Sequence, residues 1–126
     1  MSKTFAAMAA VSFMLASTAA FAQAAKVADT PKGKAYVDAK GMTLYTFDKD
    51  SAGKSACNGP CATNWPPLMA AADAKASGDW TIVTRDDGSK MWALKGKPLY
   101  TFAKDTKPGD TTGDGFLNGA WHIAKP

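Results

Sequence analysis

Glutamate is absent from this chain of 126 residues: all 11 acidic side chains are aspartate, beside a single histidine and two cysteines. Those gaps exclude a catalytic Glu and a calcium loop closed by a bidentate Glu. They also exclude a metal centre built on several histidines. No Gly-x-Ser-x-Gly elbow, phosphate-binding loop or dinucleotide fingerprint occurs. Ser/His/Asp chemistry would have to recruit His122 as its base. No enzymatic role is expected. The net charge of +4 is weak, with lysines alternating with aspartates, and the one basic cluster is Lys26, Lys32 and Lys34. A nucleic-acid reader would need a basic stripe carrying aromatic platforms, so no nucleic-acid partner is expected.

The start of the chain reads as an export signal. Lys3 is followed by an uncharged stretch to Ala22 that ends in Ala20-Phe21-Ala22, a small-x-small cleavage pattern. Its apolar part is diluted by Ala and Ser and too short to span a bilayer, so the mature chain is expected to carry no integral membrane segment. The organisation predicted is a signal peptide at 1–22, a flexible leader at 23–33 and a single β domain at 34–126, periplasmic or secreted.

What is present is a duplication. Gly41-Met42-Thr43-Leu44-Tyr45-Thr46-Phe47-Asp48-Lys49-Asp50 aligns with Gly96-Lys97-Pro98-Leu99-Tyr100-Thr101-Phe102-Ala103-Lys104-Asp105, with seven of ten residues identical at a spacing of 55. Leu-Tyr-Thr-Phe is strand chemistry, and period-two alternation puts Tyr45 with Phe47, and Tyr100 with Phe102, on one face. A strand is expected before each copy, over Lys34–Asp38 and Met91–Leu94, turning at Lys40-Gly41 and Lys95-Gly96. Trp80–Arg85 adds a strand, joined to the next through the Asp86-Asp87-Gly88-Ser89 turn. Pro60 opens a helical turn that Pro66-Pro67 stops, and Leu68–Ala76 is a candidate short helix. Residues 104–115 read as a loop and Trp121-His122-Ile123 as a closing strand. The fold class is mainly β: a small antiparallel domain made of two related units.

Both copies fit Tyr-x-[Phe/Trp/Tyr]-x-x-Asp, and Ser55–Leu68 and Arg85–Ser89 complete the pattern. Nearly the whole chain after residue 22 resembles the bacterial family of secreted repeats of unknown function, also described as predicted lipoproteins with that motif. It departs from that pattern in lacking a cysteine near the cleavage point that could carry lipid. The resemblance implies a fold and no established activity.

Cys57 and Cys61 are the only thiols, and in an oxidising compartment a structural disulfide is the expected state. Asn58-Gly59-Pro60 lets the chain turn back between them. Two alternatives use the same residues. One is a redox-active pair, and the other a copper site of Cys57, Cys61 and His122 with a nearby Met, soft ligands suited to Cu(I). Asp110–Gly115 partly fits a calcium loop, but the twelfth position is Trp121, so an ordinary turn is expected. Tyr45, Asp50, Tyr100, Asp105 and Trp65 are the candidate ligand-binding residues, with the two aspartates also expected to cap the loops that follow their strands. The function read from all this is an exported, non-catalytic binding or envelope-associated accessory module. Its partner would be a small molecule or an envelope component, without a cofactor. The alternative is a copper-handling or thiol-redox protein.

Overall fold

A computed structural model describes residues 25–126; the expected signal peptide lies outside the described residues. Lys26–Thr30 (β1) and Gly33–Val37 (β2) form an antiparallel hairpin. From Lys26 onward, then, the stretch expected to be a flexible leader is a strand. Tyr45–Phe47 (β3) follows, then the single helical turn Pro60–Asn64 (α1) that Pro60 opens. Trp80–Thr84 (β4), Lys90–Leu94 (β5) and Lys97–Pro98 (β6) make a three-stranded antiparallel sheet. A short turn, Phe116–Gly119 (α2), leads into Trp121–Ile123 (β7), which pairs with β3. The mainly antiparallel β expectation holds. Leu68–Ala76 is not helical. Its backbone is drawn into sheet-like pairing, with Leu68 N–H donating to Leu99 and Ala70 N–H to Lys90, and tertiary pairing overrides the alanine propensity.

The two copies of the motif meet back to back. Tyr45 and Tyr100 each donate N–H to the other's carbonyl, at 2.7 and 3.0 Å. Around them, matching backbone connections run twice. Tyr36 donates to Ala124, Ala124 to Leu44 and Leu44 to Tyr36, closing a ring of three hydrogen bonds of 2.8–2.9 Å. Trp92 donates to Leu68, Leu68 to Leu99 and Leu99 to Trp92 in the same pattern, at 2.8, 2.9 and 3.1 Å. In each ring two residues come from one half of the chain and the third from the closing segment of the other half. Each half finishes the other. This reciprocal exchange places Trp65 where Trp121 stands in the other half, and Leu68 where Ala124 stands.

The core shows the same symmetry. Phe47, Trp121, Trp65 and Phe102 stack face to face in one column, with ring centroids 4.1, 3.7 and 4.0 Å apart. Tyr45 meets Trp65 edge-on at 5.3 Å and Tyr100 meets Trp121 edge-on at 5.1 Å. All six rings are buried, as expected of large side chains filling a small β core. The predicted shared faces for Tyr45 with Phe47 and Tyr100 with Phe102 are observed. The second copy differs in that Tyr100 stands outside any strand, making two isolated bridges, to Tyr45 and to Pro67.

Candidate functional site

Four of the five residues expected to bind a ligand form two crossed pairs. The Tyr45 hydroxyl donates to Asp105 Oδ2 at 2.6 Å, and the Tyr100 hydroxyl donates to Asp50 Oδ2 at 2.7 Å. Each motif's tyrosine is held by the other motif's aspartate. The second oxygen of each carboxylate does the expected capping: Asp50 Oδ1 accepts Ala56 N–H, and Asp105 Oδ1 accepts Thr112 N–H. Both tyrosines are fully buried, and burial is the main force pushing their phenol pKa values well above the usual 10, reinforced by the neighbouring carboxylates. Burial likewise raises the Asp50 carboxyl above 3.8, against the opposing pull of Ala56 N–H, the Tyr100 hydroxyl and Arg85. The fifth residue, Trp65, lies inside the aromatic column. The two phenol hydroxyls and one oxygen of each carboxylate are engaged with one another.

Arg85 belongs to the family pattern beside a turn, where no role is read from its position, and it is buried. Its guanidinium donates to Ser55 Oγ, the Cys57 carbonyl and Asn58 Oδ1, at 3.1, 2.7 and 3.3 Å. Ser55 in turn shares a 2.6 Å hydrogen bond with Tyr100. A buried cation thus ties the second half of the chain to the loop that carries the cysteines. Its buried donors are met by neutral oxygens that point at them, as burial of a polar group requires.

Cys57 and Cys61 are joined in a disulfide across a 5.2 Å Cα separation. Closing this five-residue loop contributes about 2 kcal/mol on chain-entropy grounds. With both sulfurs bonded together, and His122 Nε2 at 2.8 Å from Asp48 Oδ2, the three residues of the copper alternative do not form a ligand set. Among the described residues no group of three or more His, Cys or Asp is placed to hold a metal. Asp110 serves a turn: it accepts N–H bonds from Thr106 and Lys107, which bring its carboxyl down to about 2.

The open concavity lies elsewhere. A groove of about 390 Å3 lies beside the β3–β7 ladder, with Tyr36 and Leu94 partly exposed along it and the buried Leu99 and Ile123 behind it. Lys95, Lys97, Lys125 and the His122–Asp48 pair border it. A neighbouring groove of about 270 Å3 shares Thr46, Asp48, Lys95 and Lys97 with it and extends to Asp50. Period two would have shown Thr46, Asp48 and His122 on the outward face of their strands; nothing in the sequence brings the lysines there.

Residues 26–69 and 81–125 each match a family described as a secreted repeat of unknown function, and the chain belongs to that family. The matched segments are the two halves that exchange their closing strands. No curated protein and no solved structure matches the chain.

Proposed function

We propose that this member of the secreted-repeat family is an exported, non-catalytic binding or envelope-associated accessory module. The observation that carries the reading is a division of labour. The duplicated tyrosines and aspartates are engaged with one another, while the open grooves over β3 and β7 also present side chains that differ between the two copies, among them Asp48 and Lys97. A fold spending its repeated Tyr–Asp pairs on its own assembly leaves the positions that differ between its copies for recognition. The mechanism is binding: the partly exposed Tyr36 and Leu94 offer apolar surface, and charged groups at the rim orient a ligand. The periplasm or the cell exterior is the proposed place of action, with a small molecule or envelope component as partner.

The test is native mass spectrometry on the protein recovered from its own host. A retained small molecule, or a co-purifying envelope component lost when groove residues are substituted, is the expected result. Protein that retains nothing, and converts a substrate at a rate abolished by His122→Gln, would overturn the reading.

A further inference from the structure

The reciprocal fold supplies its own control. Because the two halves are related position by position, each residue beside the groove has a counterpart on the other face. The apolar frame is largely kept in kind: Tyr36 answers to Trp92, Leu99 to Leu44, Ile123 to Pro67 and Ala124 to Leu68, while Leu94 answers to Asp38. The charged rim is not. Lys97 corresponds to Met42, His122 to Pro66, Lys125 to Met69 and Asp48 to Ala103; of the rim lysines, Lys95 alone has a lysine counterpart, Lys40. Folding therefore does not demand charge at these four positions, since the same architecture is built without it on the other face.

Backbone strain points to the same rim. Lys95 adopts φ +53° and Gly96 φ +85°, the mirror-image turn in which Asn, Asp or Gly ordinarily stands first. A lysine in that place is held against its own preference, and its side chain borders both grooves. In the first half the link between the paired strands is longer, and Lys40 has no positive φ. Three lysines, Lys95, Lys97 and Lys125, outnumber the one aspartate, Asp48, that lines the same groove. Lys95 and Lys97 have no ion-pair partner among the described residues, and Lys125 Nζ donates only to the Lys32 carbonyl. Asp48 is occupied by His122.

We propose that the groove over β3 and β7 binds an organic anion, a phosphate or carboxylate on a small apolar body, with Lys95, Lys97 and Lys125 holding the charge. This rests on the reading of the chain as a binding module and names the ligand class. Tyr36 and Leu94 accept the apolar body, and Asp48 fixes the His122 ring so that its other nitrogen faces away from the carboxylate. Lysine ammonium groups are point charges that tolerate either anion, so phosphate and carboxylate share one recognition chemistry here. A free metabolite or an anionic lipid headgroup could carry it.

The experiment is an amide-shift NMR titration of the full chain, matured by its host, with phenyl phosphate at low salt. Saturable shifts are expected at Thr46, Lys97, His122 and Ile123. Lys95→Gln with Lys97→Gln should weaken binding about tenfold, the loss expected when two partly exposed charge contacts disappear. Lys40→Gln, on the related face, should leave it unchanged. All three lysines are exposed, so the fold survives the substitutions. Sedimentation with phosphatidylglycerol vesicles, against phosphatidylcholine vesicles, separates the sources: lysine-dependent capture assigns a lipid headgroup, and absence of capture with phenyl phosphate still bound assigns a free anion. No saturable shift at millimolar phenyl phosphate, or equal weakening by Lys40→Gln, would overturn the proposal. So would retention of a neutral ligand in native mass spectrometry, which would leave the binding-module reading standing and remove this site alone.

Discussion

Replacing Tyr45 with Phe removes a single oxygen from the centre of the molecule, and the consequence can be worked out atom by atom. Asp105 Oδ2 loses its 2.6 Å donor, and Gly113 N–H loses the phenol oxygen it donates to at 3.3 Å. The ring itself, edge-on to Trp65, stays in place. A hydrogen bond to a charged acceptor contributes about 1.5–3 kcal/mol, and leaving a buried donor unpaired adds to the loss. Tyr45→Phe should therefore cost about 2–3 kcal/mol, which for a domain of this size lowers Tm by roughly 10–20 °C. Tyr100→Phe is the internal comparison. Its partner Asp50 is half-buried and can take water, and Ser55 keeps Arg85 as a donor, so about 1–2 kcal/mol is expected. Urea unfolding followed by tryptophan fluorescence gives both values. A double-mutant cycle with Asp105→Asn should return a coupling of at least about 1 kcal/mol. If both tyrosine variants fall within about 0.5 kcal/mol of the parent, the crossed pairs do not hold the halves together and the reasoning fails.

Three other perturbations probe separate parts of the structure. A Cβ at Gly113 would stand 2.6 Å from Trp65 and 2.9 Å from Phe102, inside the aromatic column, so Gly113→Ala should destabilise by about 1–3 kcal/mol in the same urea assay; a neutral result would mean the column gives way easily. Thr43 Oγ1 is buried without a partner, so Thr43→Val should be neutral or raise stability by up to about 1 kcal/mol; clear destabilisation would reveal a partner for that hydroxyl. Asp110 is held at about 2, below the ordinary 3.8, so its stabilising contribution is complete above 3.8 and lost as pH falls through about 2. Carboxyl NMR should find that low midpoint, and Asp110→Asn should lessen the acid loss of stability; a midpoint near 4 would contradict the turn geometry.

Some of this structure is legible in the chain because local rules and tertiary demands agree. The duplicated Leu-Tyr-Thr-Phe runs pair Tyr with Phe on one face at period two, and that face is buried as expected; Leu44 and Leu99 on the other face are buried too. Asp86–Ser89 turns as its Asp-Gly step requires, with Gly88 at φ +89°. The cysteine pair closes over a turn-forming tripeptide. Other elements have no local signature. β1 is mostly exposed on both faces, so it shows no alternation and reads as leader. Leu68–Ala76 has helical composition but spends its backbone on Leu99 and Lys90, contacts far along the chain. The exchange of closing segments is invisible for the same reason: Leu68 and Ala124 would satisfy either half equally by composition, and only the connection lengths decide. Tyr45, Asp50, Tyr100 and Asp105 read as a site because buried polar partners and binding residues have the same chemistry; their roles part only when each is found bonded to the other. Arg85 beside a turn looks like surface until Ser55 and the Cys57 carbonyl close around it.

Native-state hydrogen exchange at the amides of Tyr45 and Tyr100 tests the interlocked architecture most directly. Each of these N–H groups bonds to the other residue's carbonyl, at 2.7 and 3.0 Å. Because each half completes the other, both amides should open only with the whole molecule, at one free energy equal to that of global unfolding. Opening of the Tyr100 amide together with the β4–β5 hairpin, at a free energy well below that of Tyr45, would show that the halves fold separately and would contradict the account.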